Sequence, residues 1–375
     1  MSQQKDALNQ SYNELKSIDK KYKALQEKIA SSVPRATNAK IEKEKFFSQI
    51  KEGNIYNPQF QFDQKKIPSI LKIKFKKLYE EIQTTNDVYG IKKLYKQKIQ
   101  EQISLIDMLN EWGNSKSTDL SIKLKNKPNL LNIAKAKLIC KKTTYNREIS
   151  PEISVKKIGA ELRKEVKRLT GDKITISYED RPNKVAIICS EQKIILNPHM
   201  KYTRKDLNRL KVHEIGTHYL RAHNGKKTGL YLLEKGTANY LGDEEGLAVC
   251  MEKIYGVSSD AQMRQYAGRL LAINYSLKKS FYETYQIMRQ YGFSKQDSYI
   301  LTHRAKRNLQ DTSKPGCYAK DHIYFSNYKK VMKHIKKHGL QKLFTGKIKT
   351  KDVKKIHKFI ELYHQNNDIY TEKKL

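Results

Sequence analysis

The sequence predicts a predominantly helical α+β protein with one small β-sheet. Three observations carry that expectation. Most of the 375 residues place their apolar side chains at helical spacing, three short β-rich segments cluster between residues 174 and 196, and the segment after them reads as a helix holding two histidines. A chain of this length can bury one large core or two smaller ones.

Composition removes several classes of function. No stretch approaches the ~18 apolar residues a membrane helix needs, so a membrane is not an expected partner. Met1-Ser2-Gln3-Gln4-Lys5-Asp6 has no apolar core, so this start is not read as a secretory signal. Cys140, Cys189, Cys250 and Cys317 are scattered and form no CxxC pair, as expected of reduced thiols in a cytoplasmic protein. The charge is extreme: 75 Lys and Arg against 39 Asp and Glu, a net +36. Such a field draws polyanions. An AT-rich genome, which favours lysine codons, produces a similar bias, so charge alone does not choose the partner.

Residues 3–30 read as an amphipathic helix, with Leu8, Leu15, Tyr22 and Ile29 recurring every seven residues. It can dimerise as a coiled coil or pack on the body, and packing is the preferred reading. Ser31 to Asn38 is the expected linker, so residues 1–38 form an N-terminal helix and linker. Residues 39–150 read as a basic helical part. Ten lysines lie between residues 61 and 98 against Asp63, Glu80, Glu81 and Asp87, interleaved with Phe75, Tyr79 and Tyr95. That pattern is either a polyanion-binding face or a solvated face over an aromatic core stripe.

Residues 151–375 are expected to form the catalytic core and a basic helical C-terminal region. A helix over 151–170 precedes strands at 174–178, 185–189 and 193–196, with Arg181-Pro182-Asn183 turning the first into the second. The next helix starts at Thr203, where Asp206 completes a capping-box pattern, and ends at Asn224-Gly225. Helices follow at 243–255, 259–278, 280–291, 294–310 and 325–338, with another starting near Thr350.

The chemistry concentrates in His213-Glu214-Ile215-Gly216-Thr217-His218 and in Asp243-Glu244-Glu245-Gly246-Leu247-Ala248. Two imidazoles and one carboxylate are a hydrolytic zinc set that leaves a fourth position open. The histidines, however, stand at i and i+5. On an ideal helix that separation turns them about 140° apart, against about 40° for i and i+4. They converge only if the helix widens locally, as in a π-bulge, and Gly216 is a suitable place for it. Otherwise they are ordinary helix histidines and Glu244 and Glu245 an ordinary acidic helix start. In the zinc reading Glu245 completes the set. Glu214 is then the general base that takes the proton of the activated water and passes it to the leaving amine.

These two motifs together resemble the signatures of the microtubule-associated tyrosine carboxypeptidase family. Asn57-Pro58-Gln59-Phe60 resembles the family's start, and Leu343-Phe344 with Gly346-Lys347-Ile348 resembles a motif near its end, so the likeness spans residues 50–365. The resemblance implies a zincin-like metallopeptidase of an atypical HExxxH type, in which a small sheet precedes the metal-binding helix. It implies Zn2+ held by His213, His218 and Glu245, with Glu214 catalytic. It further implies removal of a C-terminal tyrosine, as from α-tubulin. A region with Arg304, Arg307, Lys320, Asp321 and Tyr324 resembles a family segment too, although Pro315-Gly316 replaces a glycine pair and Ala319 a threonine. Arg304, Arg307, Lys320 and Tyr324 are therefore the expected substrate-binding residues, suited to clamping a free carboxylate. The expected partners are acidic protein tails, tubulin and microtubules first, with a cytoskeletal location. A basic binder of microtubules or nucleic acid with a vestigial metal site is the alternative, as is a zinc peptidase of other specificity. No established nucleic-acid motif is present.

Overall fold

The computed structural model describes residues 2–29, 34–63, 65–87, 90–142, 151–180 and 184–367. It is α+β and predominantly helical. The first part holds α1 (Ser2–Gln26), α2 (Ala39–Lys51), α3 (Ser69–Thr84), α4 (Lys92–Asn110), α5 (Lys116–Lys125) and α6 (Leu130–Lys142). Then come β1 (Glu152–Ile153), α7 (Val155–Thr170), β2 (Thr175–Tyr178), β3 (Val185–Ile188), β4 (Lys193–Leu196) and β5 (Tyr202–Thr203). α8 (Arg204–Leu210) runs through a π-helical segment, Lys211–Tyr219, into α9 (Leu220–Lys227). The remainder is helical: α10 (Tyr231–Lys235), α11 (Leu241–Ile254), α12 (Asp260–Ser276), α13 (Phe281–Gln290), α14 (Lys295–Lys306), α15 (Ile323–His338) and α16 (Val353–Asn367).

The three expected strands form one sheet, ordered β2-β4-β3, with β2 parallel and β3 antiparallel to β4. The proposed turn Arg181-Pro182-Asn183 lies outside the described residues, and β2 and β3 are not paired with each other. β4, at the centre, is the most buried of the three, with Ile194, Ile195 and Leu196 all buried. α7 covers the sheet with Ile158, Leu162 and Val166, which share one apolar cluster with Ile194, Leu196, Leu207, Leu210, Ile215 and Tyr219. The sheet and α7 thus form the backing of the helix that bears both histidines. Two-residue strands β1 and β5 form a separate antiparallel pair, with Glu152 opposite Thr203.

α1 packs on the body. Ile18 and Tyr22 are buried, and the buried Asp19 carboxylate accepts hydrogen bonds from the Tyr231 and Leu232 backbone amides at 2.6 and 3.0 Å and from the Tyr95 hydroxyl at 2.8 Å. Asp19 therefore caps the start of α10 from a distant part of the chain. In the lysine-rich stretch, Phe75 and Tyr95 are wholly buried, so these aromatics belong to the core. Among the described residues, no helix is long and apolar enough to cross a membrane.

Four glycines correct or explain the sequence reading. The histidine helix does not stop at Asn224-Gly225; it runs to Lys227, and the left-handed residue is Gly229, φ 72°. Gly225 serves close approach instead: a Cβ there would lie 2.2 Å from the Leu233 carbonyl oxygen. On α11, added Cβ atoms at Gly242 and Gly246 would come within 2.6 Å of the Asn327 side chain and 3.0 Å of its backbone. These two glycines, one turn apart, let α15 settle directly on α11. The contact at Gly225 is backbone against backbone, with no flexible side chain to yield. Gly225→Ala is therefore expected to destabilise the fold by about 1–3 kcal/mol, read as a lowered midpoint of thermal unfolding.

Candidate metal centre

The histidine helix begins with the expected capping box. Thr203 Oγ1 accepts from the Asp206 amide at 3.2 Å and Asp206 accepts from the Thr203 amide at 3.0 Å. Seven residues later the helix widens. Over Lys211–Tyr219 the backbone is π-helical, and the Thr217 hydroxyl donates to the Val212 carbonyl five residues back at 3.0 Å. Gly216 sits inside this turn, where an added Cβ would be 3.3 Å from the Lys211 carbonyl oxygen. A π-turn takes one more residue per ring than an α-turn. His213 and His218 therefore land on one face, with ring centroids 4.9 Å apart and the rings nearly perpendicular.

Glu245, on α11, faces the gap between them. Its Oε2 lies 3.6 Å from His213 Nε2 and 3.4 Å from His218 Nε2. The three side chains offer ligand atoms that all fall within 4.8 Å of one another. Glu245 Oε2 is buried without a hydrogen-bond partner, whereas Oε1 accepts from the Tyr324 hydroxyl at 2.9 Å. A buried carboxylate oxygen left orphaned between two imidazole nitrogens is costly unless a cation completes it. Two nitrogens and one carboxylate oxygen form the donor set that zinc takes in open, three-ligand sites. The residues present fit the ion.

Each histidine is held by a carboxylate of its own. His213 Nδ1 is 2.7 Å from Glu252 Oε1, and His218 Nδ1 is 2.9 Å from Glu244 Oε1. Both acids stay ionised. Burial would raise Glu244, but Arg221, Lys347 and His218 outweigh it and bring it down to about 2. Burial likewise opposes ionisation of Glu252, and His213 with Arg209 overrides it. An ionised carboxylate cannot donate, so Nδ1 donates to it in each pair and Nε2 is the nitrogen turned toward Glu245. The acids are themselves anchored: Arg221 donates to Glu244 and to the Leu343 and Ile348 carbonyls, while Arg209 lies 3.3 Å from Glu252 and Tyr266 donates to it at 3.0 Å.

Glu214 lies next to His213 in the same π-turn, half-buried, and its charge acts on both His213 and Arg209. No hydrogen bond or ion pair joins its carboxylate to another described residue. Arg304 Nε donates to Asp321 Oδ2 at 2.6 Å, and both terminal nitrogens of Arg307 reach Asp321 at 3.1 and 3.3 Å. Burial works against the Asp321 charge, yet Arg304 and Arg307 hold the carboxyl far below its ordinary range. Lys320 is half-buried and its charge acts on Glu245. Tyr324 stacks beside His213, with centroids 6.4 Å apart. Of the expected residues Tyr324 touches Glu245 directly, Arg304 and Lys320 interact with it through charge, and Arg307 joins Arg304 at Asp321.

Sequence reasoning missed Glu252, Arg209, Arg221 and Tyr266. The signals were spacing: Glu252 follows Glu245 by seven residues on one face of α11, and the arginines flank the histidines at helical intervals on their own helix. His303, on α14, packs edge-on against Phe60 at 5.1 Å and stacks with Tyr299 at 6.1 Å. Burial, reinforced by Arg307, Arg304 and Lys43, pulls its pKa down to about 3.

The sequence profile of the family described as microtubule-associated tyrosine carboxypeptidase matches residues 44–369. The chain belongs to that family. Similar proteins include microtubule-associated tyrosine carboxypeptidase 1 of mouse, 30% identical over 154 residues (39% of this chain and 32% of the relative). The rat protein of the same name is 32% identical over 152 residues, 38% of this chain and 31% of the relative. The human one is 31% identical over 128 residues, 32% of this chain and 26% of the relative. The alignments therefore span about a third of these relatives or less. The family match, by contrast, contains both histidines, Glu245 and the Arg304–Tyr324 region.

Glu252→Gln keeps the size of the side chain but loses the charge that orients His213. Zinc affinity is expected to fall roughly 10- to 100-fold, measured by competition with a chromogenic chelator. His303 makes a separate, metal-independent prediction. Its folded pKa of about 3 lies below the ordinary 6.5, so its neutral form contributes stability above pH 6.5 that is lost as pH falls toward 3. The slope is about 1.4 kcal/mol per pH unit for one proton. In His303→Phe, unfolding free energy measured by denaturant titration from pH 7 to pH 5 should fall less steeply than in the parent.

Proposed function

We propose that the chain is a zinc-dependent metallocarboxypeptidase that removes a C-terminal residue, tyrosine first, from acidic protein tails such as that of α-tubulin. The observation that carries this reading is the orphaned Glu245 Oε2 between His213 Nε2 and His218 Nε2, with the unpaired Glu214 carboxylate beside them. The family match supports the peptidase class, and the names of the relatives refer to tyrosine removal and microtubules.

In this reading His213, His218 and Glu245 hold the ion in a zincin-like arrangement, with the small sheet behind the histidine helix. When bound, zinc supplies Lewis-acid polarisation of the peptide carbonyl and makes water acidic enough to attack near neutral pH. Glu214 takes the proton of the attacking water and returns it to the leaving amine. Arg304, Arg307, Lys320 and Tyr324 line the substrate side and supply positive field and a hydroxyl donor. Burial, followed by the Glu245 charge, pushes the Tyr324 phenol well above its ordinary pKa, so it remains a donor. The net charge of +36 steers the protein to anionic surfaces, which fits a cytoplasmic, cytoskeletal setting better than a membrane.

Mass spectrometry of zinc-loaded protein with peptides ending in Glu-Tyr tests the reading. The free-acid peptide should lose tyrosine much faster than the amidated one loses tyrosinamide. Glu214→Gln should keep its zinc and lose at least about 100-fold in kcat. A zinc-free preparation, or an unchanged rate in Glu214→Gln, defeats the assignment.

A further inference from the structure

We propose that Arg269 grips the free α-carboxylate of the substrate's terminal residue, an assignment that rests on the carboxypeptidase reading above. Arg269 lies on α12, and its guanidinium carbon is 4.8 Å from the Tyr324 ring centroid and 5.2 Å from that of Tyr266. Those two rings stack at 5.3 Å, nearly parallel. Each points its hydroxyl at the metal-centre carboxylates: Tyr324 at Glu245, 2.9 Å away, and Tyr266 at Glu252, 3.0 Å away. The guanidinium therefore stands one ring away from a zinc ligand and from the acid that holds another. An exopeptidase needs its anion-binding group this close, because only one residue separates the scissile carbonyl from the terminal carboxylate.

The arginines around the centre differ in what they have left to give. Arg221 and Arg209 are committed to Glu244 and Glu252, and Arg304 and Arg307 both reach Asp321. Arg269 forms no hydrogen bond or ion pair with any described residue and rests only on ring faces. A guanidinium has five donors in a planar fork, suited to bidentate capture of a carboxylate. Charge points the same way. Arg269, Arg304, Arg307 and Lys320 converge on the single acid Asp321. Facing Arg269 itself are Arg304, which repels it, and Asp321, Tyr324 and Tyr266, which favour its charge. With Glu245 counted, which Arg304 and Lys320 also face, four cations meet two carboxylates, an excess of positive charge that an incoming carboxylate offsets and an amidated terminus does not. Arg269 thereby selects for a free chain end, and Tyr266 and Tyr324 fix the height of its fork.

The test compares the full-length zinc-loaded protein with Arg269→Met and Arg269→Lys on one acidic peptide ending in Glu-Tyr, as free acid and as amide. Zinc content and thermal midpoint are measured alongside. The parent should prefer the free acid. Arg269→Met should lose about 100-fold in kcat/KM on the free acid, mostly through KM, with little change on the amide. The preference then collapses while zinc content holds. Arg269→Lys, which restores charge without the fork, should recover part of the loss. A merely structural role would slow both peptides alike and show no recovery with lysine. A free-acid preference that survives in Arg269→Met overturns the clamp and leaves the carboxypeptidase reading standing. A parent protein that cleaves neither peptide, or both equally, overturns that reading and the clamp with it.

Discussion

Everything at the candidate centre depends on one widened helical turn. Two imidazoles five residues apart on a regular helix face different directions, and no side-chain rotation brings their nitrogens to a common point. The π-helical segment from Lys211 to Tyr219 removes that conflict in the backbone. It is secured from two sides. Behind it, Ile215 and Tyr219 sit in the apolar cluster made by α7 and the sheet, so the turn cannot rotate without exposing them. In front of it, Glu252 and Glu244 pin each ring by its Nδ1. Gly216 leaves space beside the displaced Lys211 carbonyl that a larger residue would crowd.

A second constraint follows from placing so many carboxylates on one buried helix. Asp243, Glu244, Glu245 and Glu252 are all buried on α11. Such a cluster folds only if each acid meets a countercharge or a donor. Asp243 accepts from Lys330 and from the Thr350 amide and hydroxyl, Glu244 from Arg221, and Glu252 from Arg209 and Tyr266. Of the four, Glu245 alone keeps an oxygen without a hydrogen-bond donor, and that oxygen lies between the two Nε2 atoms at 3.6 and 3.4 Å. Hydrogen bonding is thus complete at every acid of the cluster except the one aimed between the histidines.

Much of this was legible in the sequence, and for identifiable reasons. The helix positions followed from apolar period, and the Thr203 and Asp206 pair announced its helix correctly. The i and i+5 spacing, taken with Gly216, required a bulge, and the bulge is there. What escaped was information that lives between distant segments. Gly225 looked like a helix stop because glycine commonly is one, but its real neighbour, Leu233, is brought in by the turn that follows. β4 inserted between β2 and β3 because burial outweighed the nearness of those strands in sequence. Arg269 carries no motif at all. It stands out only once Tyr324 and Tyr266 stack and the other arginines are seen to be occupied.

The extra residue in the π-turn is absorbed where it enters. A π-turn closes one more residue into each ring than an α-turn, so the helix beyond His218 keeps the phase of a regular helix without the insertion. Arg221, Asn224 and Gly225 thereby hold their places at Glu244, at the Phe344 carbonyl and at the backbone of Leu233. The widened turn shifts the spacing of the histidines in sequence and leaves the far half of the helix where it is in space.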